Sequence, residues 1–143
     1  MLKDVPIREI MASPAVTIHV QDPFHIVEQK FRMKGIRHLP VLDDHGKVVG
    51  LVTQRDLYRT VSPHKTESGA DYDEETLDEF ILEYVMKKEP LVLRPDDKIS
   101  DAIEIMARRK FGCIPIVDDA GRSVGILTET DILKWIHRLF SEA

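Results

Sequence analysis

Hydrophobic positions follow the same order twice along this chain. Each copy opens with a short apolar run, at 15–18 and again at 91–93, which is too short for a helix and is typical of a strand. Apolar residues then recur every three or four positions, as on the buried face of a helix. They are Phe24, Val27 and Phe31 in the first copy and Ile99, Ala102, Ile103 and Met106 in the second. The pattern predicts a strand and then a helix in each copy, with Asp22 and Asp97 capping the helix starts.

Two β-rich runs complete each copy. They are separated by Asp-Asp-His-Gly in the first copy and by Asp-Asp-Ala-Gly in the second, and the glycine supplies the positive φ that such a hairpin needs. The second run leads directly into a helix at Gln54 or Glu129. Each copy is therefore predicted to be β-α-β-β-α, in a mixed fold of the α/β (α+β) class.

The two copies are also alike in sequence. The segment LPVLDDHGKVVGLVTQRDL at 39–57 returns as IPIVDDAGRSVGILTETDI at 114–132, an offset of 75 residues. A repeat of this length indicates two related units, and a unit of about 50 residues is marginally stable alone. We therefore expect the two repeats to pack through their sheets about a pseudo-twofold axis.

The repeat also sets the predicted domain boundaries. The first domain spans 5–60, an inter-repeat loop and the start of a connector helix span 61–79, and the second domain spans 80–140. Within the connecting region, the polar stretch 62–75 predicts an exposed loop. The stretch 74–86 has apolar residues at helical spacing and predicts an amphipathic helix.

Composition and charge narrow the classes of function. The 143 residues carry a net charge of −5 with scattered Lys and Arg, which disfavours a nucleic-acid partner. We expect no membrane partner and a cytoplasmic location, because no apolar run approaches the roughly 20 residues of a membrane span and no secretory signal is present. A lone Cys113 forms no internal disulfide. The six His residues lack metal-binding spacing, so we expect no metal site. Nothing in the sequence supplies a nucleophile, a base and a metal together, so we expect no enzyme.

One motif in both copies has two interpretations. It occurs as VGLVTQRD and VGILTETD, with Thr-x-x-Asp at a strand-to-helix junction. In the structural interpretation, Thr and Asp form a capping box that satisfies the first N–H groups of the helix. In the functional interpretation, the same helix start favours a phosphate while the carboxylate accepts from the hydroxyls of a ribose. The motif alone favours the capping box, and the two interpretations use the same geometry.

The two copies together resemble a known family. The Met-x-x-x opening, the strand, the helix, the Pro-hydrophobic-hydrophobic-Asp run and the Thr-x-x-Asp close are similar to a tandem pair of cystathionine-β-synthase (CBS) domains, or Bateman module. The resemblance covers about 5–60 and 80–140. It implies an adenosine ligand (AMP, ADP, ATP, S-adenosylmethionine or NAD, with Mg²⁺ possible beside ATP) in clefts between the repeats. It also implies a homodimer and no catalytic cofactor.

The resemblance assigns ligand contacts by position. Asp56 and Asp131 would hold the ribose hydroxyls. The residues that would meet ribose or phosphate are Thr53, Arg55, Thr128 and Thr130. The residues that would lie against the base are Thr17, Ile18, Leu39 and Pro40, or Leu93, Ile114 and Pro115. Arg37 and His38 match a loop that supplies phosphate-binding side chains in some members, and because Gly112 and Cys113 replace them in the second copy, the two sites should be unequal.

These features predict a regulatory module of stand-alone type. An adenosine nucleotide would bind between the repeats, as in an energy or metabolite sensor, and the bound state would be passed to a separate, unidentified protein. The alternative is a ligand-free structural dimerisation module. The last helix, predicted from Glu129 to about Phe140, carries more apolar surface than one face of a monomer needs, which indicates self-association.

Overall fold

The repeat in the sequence corresponds to two units of similar architecture. The computed structural model describes residues 2–61, 64–66 and 69–142. One unit is Val16–Glu89, and the other combines Met1–Ala15 with Pro90–Ala143. The mixed α+β fold with a duplicated β-α-β-β-α order is confirmed.

The unit Val16–Glu89 is built on a four-stranded sheet. Its elements are β1 (Ile18–His19), α1 (Phe24–Lys34), β2 (His38–Leu42), β3 (Val48–Thr53), α2 (Gln54–Thr60), β4 (His64–Thr66), β5 (Gly69–Asp71), α3 (Glu74–Leu77), α4 (Leu82–Val85) and β6 (Lys87–Lys88). The sheet order is β1-β2-β3-β6, with β1 parallel to β2 and the other neighbours antiparallel. The predicted apolar face of α1 is buried in one cluster with Leu39 and Val52 of the sheet.

The second unit repeats this order around a two-stranded hairpin. After two short 3₁₀ turns, Leu2–Asp4 and Ile7–Glu9, its elements are α5 (Ile99–Arg109), β7 (Cys113–Val117), β8 (Ser123–Thr128) and α6 (Glu129–Glu142). The predicted first strand is reduced to one parallel bridge between Leu93 and Ile116. The apolar face of α5 packs in a cluster with Ile114, Ile116 and Leu127, as its periodicity predicts.

Each hairpin is flanked by the segment that opens the other copy. Lys87 of β6 pairs with Leu51 of β3, although β6 lies in the segment that opens the second copy. Ala12, in the segment that opens the first copy, forms the matching antiparallel bridge with Ile126 of β8. Each structural unit thus includes the segment that opens the other copy. The domain boundaries predicted from the sequence remain a prediction.

The two hairpin turns have the predicted chemistry. Gly46 and Gly121 adopt positive φ angles of 78° and 82°, which glycine reaches without a steric penalty. The first Asp of each turn, Asp43 or Asp118, accepts hydrogen bonds from the backbone N–H groups two and four residues further on. The adjacent acids are therefore explained by the turns.

The helix caps predicted at Asp22 and Asp97 are wrong. Helices α1 and α5 begin after Pro23 and Lys98, and neither of these residues makes a side-chain cap. Each Asp carboxylate instead accepts from the backbone N–H three residues earlier, at 3.0 Å for Asp22 and 2.8 Å for Asp97. The carboxylates thus close the turn before the helix, a local bond from side chain to backbone that competes with capping.

The connecting region also differs from the prediction. The stretch predicted as a loop contains the antiparallel hairpin β4–β5, with residues 62, 63, 67 and 68 outside the described part. The predicted connector helix is two short helices, α3 and α4, because Ile81 takes an extended conformation and remains 56% exposed. Leu77 and Leu82 on either side are buried. The extended residue between the two helices lets both of these side chains reach the core, which interrupts the single helix that the spacing predicted.

Helix α6 presents apolar side chains on its surface. Leu133 is 66% exposed and Phe140 is 76% exposed, while Ile132 and Trp135 pack against the cluster of the second unit. Self-association through this helix stays a prediction. Among the described helices, none has the length and apolar character needed to cross a bilayer.

Candidate functional site

The Thr-x-x-Asp segment of the first copy forms a complete capping box at the start of α2. Thr53 ends β3 in an extended conformation, so its side chain points back at the helix start. The N–H of Asp56 donates to Thr53 Oγ1 at 3.2 Å, and the N–H of Thr53 donates to Asp56 Oδ2 at 2.8 Å. The structural interpretation of the motif is confirmed here.

The second copy reproduces this geometry at the start of α6. The N–H of Asp131 donates to Thr128 Oγ1 at 3.3 Å, and the N–H of Thr128 donates to Asp131 Oδ2 at 2.9 Å. Thr128 Oγ1 also donates to Asp131 Oδ2 at 2.9 Å. This oxygen therefore accepts two hydrogen bonds and is firmly oriented.

Capping uses only half of each carboxylate. Oδ2 of Asp56 and of Asp131 closes the box, whereas Oδ1 receives no hydrogen bond from any residue that the structure describes. Both Asp residues are half-buried, and Arg55 and Thr130 are exposed at the second position of their helices. Each helix start thus holds an oriented carboxylate oxygen that can accept from a bound hydroxyl group.

A loop carbonyl holds each helix start from the other side. Gln54 N–H donates to the carbonyl of Arg37 at 2.9 Å, and Glu129 N–H donates to the carbonyl of Gly112 at 3.1 Å. The loop that carries Arg37 and His38 therefore adjoins the Thr53–Asp56 box. Arg37 is exposed and His38 is half-buried, while Gly112 brings no charge to the second box.

The residues predicted to contact the base differ in accessibility. Ile18 is 2% exposed, and Leu39 and Ile114 are fully buried in the cores of their units. Pro40 and Pro115 are also buried. These side chains pack inside their units, so they offer little surface to a base.

Thr17 and Leu93 are the half-buried members of the predicted base-binding set. Leu93 lines an open cavity of about 530 Å³ with Arg94, Asp97 and the turn at 118–121. This cavity adjoins the turn of the second hairpin, whereas Thr128 lies at the end of β8 away from that turn. The structure therefore places Leu93 on a polar cavity that the sequence analysis missed.

The cavity is polar because of a basic-acidic pair at its rim. Arg94 Nε lies 3.4 Å from Asp119 Oδ1. The equivalent pair in the first copy is His19 with Asp44, whose Nε2 and Oδ1 are 2.7 Å apart. The pairs join the first strand to the hairpin turn in both copies.

One group of described side chains has the donor types of a metal site. His25, Glu74 and Asp78 bring a ring nitrogen and two carboxylates within 4.8 Å of one another. Asp78 already accepts from the N–H of His25 at 2.9 Å and pairs with its Nδ1 at 2.9 Å. These contacts show Asp78 capping α1 from the connecting region, and the two carboxylates are exposed.

Comparison with known proteins identifies the class of fold and then the family. The CBS domain family matches residues 7–63 and 81–138. This chain therefore belongs to the CBS domain family and carries two copies of the domain. An uncharacterized protein of Methanocaldococcus jannaschii is 29% identical over 150 residues, with 90% of this chain and 89% of that protein covered.

Solved structures of CBS domain pairs share the fold. The CBS domain pair of protein MJ0100 in complex with 5′-methylthioadenosine and S-adenosyl-L-methionine superposes with a TM-score of 0.76 at 23% identity, covering 93% of this chain and 96% of that one. CBSX2 in complex with AMP superposes with a TM-score of 0.77 at 22% identity, covering 94% and 97%. At these identities the likeness concerns the fold.

Proposed function

We propose that this chain is a regulatory module that binds an adenosine-containing ligand at its Thr-x-x-Asp segments and signals to a separate protein. The observation that carries the proposal is the duplicated carboxylate, with one oxygen fixed by the capping box and the other directed at no described partner. The two adjacent hydroxyls of a ribose are suitable donors for such an oxygen. The ligands of the two structures that share the fold, AMP in one and 5′-methylthioadenosine with S-adenosyl-L-methionine in the other, support the class.

The proposal assigns binding and no chemical step. Thr53 and Asp56 hold each other through hydrogen bonds between side chain and backbone, so they orient a ligand without activating a nucleophile. A regulatory effect requires only that the ligand bind two arrangements of the module with different affinity, and typical coupling free energies are about 1–3 kcal/mol. AMP, ADP, ATP with or without Mg²⁺, S-adenosylmethionine and NAD are the ligands to compare.

The test uses substitutions that keep the cap and remove the ribose contact. In Asp56→Asn or Asp131→Asn the amide oxygen can still accept from the Thr N–H, while the NH₂ group replaces the oxygen that would accept from the ligand. Thermal unfolding is measured with each ligand. A ligand at 100 times its dissociation constant should stabilise the wild type by about 2.7 kcal/mol, and the Asn variants should lose this gain while unfolding near the wild-type temperature without ligand.

Asp22→Asn is the matched control, because this carboxylate also accepts from a backbone N–H but lies outside the two boxes. It should keep the ligand-induced shift. Stabilisation that survives in both Asp56→Asn and Asp131→Asn would contradict the proposed site. No stabilisation of the wild type by any of the adenosine ligands would contradict the proposed ligand class.

A structural dimerisation module is the second candidate, and the exposed Leu133 and Phe140 on α6 favour it. A homodimer fits both candidates, so oligomeric state alone does not separate them. Sedimentation velocity of wild type and Phe140→Ser tests the dimer, and the ligand series tests regulation. A ligand-insensitive dimer that Phe140→Ser dissociates would favour the structural role.

A further inference from the structure

The start of α1 carries a histidine that lies between two carboxylates of the connecting region. His25 is the second residue of α1, and its side chain is 25% exposed. Asp78 Oδ2 lies 2.9 Å from its Nδ1, and Glu74 Oε1 lies 3.6 Å from its Nε2. The two carboxylates therefore approach the imidazole ring at different nitrogens. The fold brings these residues together from distant parts of the chain, so no short motif in the sequence indicates the group.

The contact with Asp78 determines which ring nitrogen of His25 carries the proton. An ionised carboxylate only accepts hydrogen bonds, so Nδ1 of the neutral ring is the donor to Asp78. Nε2 then keeps its lone pair. Most metal-binding histidines have this arrangement, in which the ring nitrogen that does not bind the ion donates to a carboxylate, a carbonyl or a water.

The contact with Glu74 has the spacing of two ligands on one ion. The distance of 3.6 Å between Nε2 and Oε1 exceeds the roughly 2.7–3.2 Å of a hydrogen bond between a nitrogen and an oxygen. Zinc bonds of about 2.0–2.1 Å at a tetrahedral angle place two ligand atoms about 3.4 Å apart. The side chain of Glu74 is 69% exposed, so a small rotation suffices to bring its carboxylate to that distance.

The charge of the group suits a divalent cation. One atom each of His25, Glu74 and Asp78 lie within 4.8 Å of one another. Neither carboxylate forms an ion pair with a Lys or Arg in the described part of the chain. Beside a neutral imidazole the two carboxylates carry two negative charges. A nitrogen ligand favours zinc over Mg²⁺ and Ca²⁺, which prefer oxygen ligands.

Another histidine of the same unit shows that a nearby carboxylate alone is insufficient. His19 Nε2 lies 2.7 Å from Asp44 Oδ1, and its Nδ1 accepts from the N–H of Gln21 at 3.0 Å. The proton of the neutral ring is therefore on Nε2, and the lone pair of Nδ1 is already used. Of these two rings, that of His25 has a nitrogen available to a metal ion.

We propose that His25 and Glu74 bind a Zn²⁺ ion and that Asp78 positions the His25 ring for it. Nε2 and the Glu74 carboxylate are the protein ligands, and water completes the coordination. The ion joins α1 to α3 and so holds the connecting region against the first unit. Ser100 is the counterpart of His25 in the second copy, so one ion binds per chain. The site shares no residue with the Thr53–Asp56 box and does not depend on the function proposed above.

The experiment titrates ZnCl₂ into the full chain, without a histidine tag, by isothermal titration calorimetry. We expect one ion per chain and a rise of several degrees in the unfolding temperature at saturating zinc. His25→Gln and Glu74→Gln each remove a ligand, and each should weaken binding by at least tenfold. Asp78→Asn changes the group behind the ring and should weaken binding by about tenfold.

Two variants are matched controls. Glu75→Gln removes the neighbouring exposed carboxylate of α3, and His19→Gln removes the histidine whose nitrogens are both occupied. Both should bind zinc as the wild type does. Glu74→Gln alters an exposed side chain, so it keeps the test valid if His25→Gln has a lowered unfolding temperature.

The positioning role of Asp78 has its own measurement. The ¹⁵N chemical shifts of the His25 ring report which nitrogen is protonated. In the zinc-free wild type at a pH where the ring is neutral, the proton should be on Nδ1, and in Asp78→Asn a fraction of it should move to Nε2. Unchanged shifts in Asp78→Asn would overturn the positioning role.

Three results would overturn the zinc site. The first is a wild type that neither binds zinc in the titration nor unfolds at a higher temperature with millimolar zinc. The second is zinc binding of unchanged affinity in both His25→Gln and Glu74→Gln, which would assign the ion to other surface groups. The third is Mg²⁺ binding as tightly as zinc and with the same loss in Glu74→Gln, which would show that the imidazole nitrogen is not a ligand.

Discussion

A Cβ atom on Gly125 would stand 2.7 Å from the carbonyl oxygen of Ala12, closer than non-bonded atoms approach each other. The same Cβ would lie 2.9 Å from Met11 Sδ. Gly125 is therefore needed because the segment that opens the first copy crosses directly over β8. In the first copy, Gly50 has the same relationship to Met86, whose Sδ would lie 2.3 Å from a Cβ at position 50.

We predict that Gly125→Ala destabilises the protein more than Gly50→Ala does. Overpacking a buried site typically costs about 1–3 kcal/mol. The clash at position 50 is with a side chain that can move, whereas the clash at position 125 includes a backbone carbonyl. Urea denaturation of the two variants measures the difference in the free energy of unfolding.

Two double variants sharpen this comparison. Met86→Ala removes the atoms that clash at position 50, so Gly50→Ala should cost less in that background than in the wild type. Met11→Ala leaves the carbonyl of Ala12 in place, so it should not rescue Gly125→Ala. Equal rescue in both pairs would show that the crossing segment can shift away from β8.

Helix α5 offers a stabilising substitution. Lys110 ends this helix in the left-handed conformation with φ 57°, where the equivalent residue of the first copy is Gly35 with φ 63°. A residue with a Cβ pays about 1 kcal/mol or more for this conformation, and glycine is the usual residue there.

Lys110→Gly should therefore raise the free energy of unfolding by about 0.5–1 kcal/mol, since Lys110 is exposed and the gain is backbone strain relieved. Gly35→Lys, the reciprocal change, should lower it by a similar amount. Thermal and urea unfolding of both variants provide the measurement. Destabilisation by Lys110→Gly would mean that its side chain makes contacts that outweigh the strain.

We predict that Asp118, in the hairpin turn of the second copy, stabilises the folded state at neutral pH and loses this effect in acid. The backbone N–H of Arg122 lowers the pKa of Asp118 below its usual value of 3.8. The N–H of Ala120 and the guanidinium of Arg122 lower this pKa further by smaller amounts, while desolvation of the carboxylate raises it. The folded state thus favours the ionised carboxylate. The stabilisation is present above the usual pKa and is lost as the pH falls through the lower, folded-state pKa.

Asp118→Asn removes this titration. The difference in unfolding temperature between wild type and Asp118→Asn should shrink as the pH falls from about 5 to about 3. Arg122→Leu should keep most of the pH dependence, because the backbone N–H that dominates the shift remains. A difference between wild type and Asp118→Asn that stays constant over this range would contradict the assignment.

The parts of the fold that sequence could predict are those governed by local chemistry. The glycine turns, the apolar faces of α1 and α5 and the Thr53–Asp56 box depend on residues within a few positions of one another. The cap predicted at Asp22 is wrong although it too depends on neighbouring residues. Two backbone N–H groups compete for one carboxylate, and the pattern Asp-Pro does not determine which of them it bonds.

The non-local features were not predictable in the same way. The repeat shows that Met11 and Met86 are equivalent, but equivalence does not reveal which of two similar sheets each segment crosses. The contact of Lys30 with Thr17 spans 13 residues and depends on how α1 lies against β1. A lysine in an amphipathic helix is usually solvated, so the sequence carried no signal for this contact.

The connecting region stabilises the first unit through a long-range helix cap. Asp78 Oδ1 accepts from the N–H of His25 in the first turn of α1, where Pro23 supplies no side-chain cap. Phe80, two residues on, packs against Phe24 with ring centroids 6.2 Å apart. The start of α1 therefore depends on a segment 53 residues away in sequence.

We predict that Asp78→Ala lowers the free energy of unfolding by about 0.5–2 kcal/mol, the usual cost of removing a helix cap. Asp78→Asn keeps an acceptor for the N–H of His25 and should cost less. Glu79→Ala is the control, because it removes the exposed carboxylate next to Asp78 in the same turn. Hydrogen exchange gives the local measurement, since Asp78→Ala should reduce protection in the first turn of α1 while leaving α5 unchanged. If protection falls equally in both helices, the loss is global and Asp78 does not act as the cap of α1.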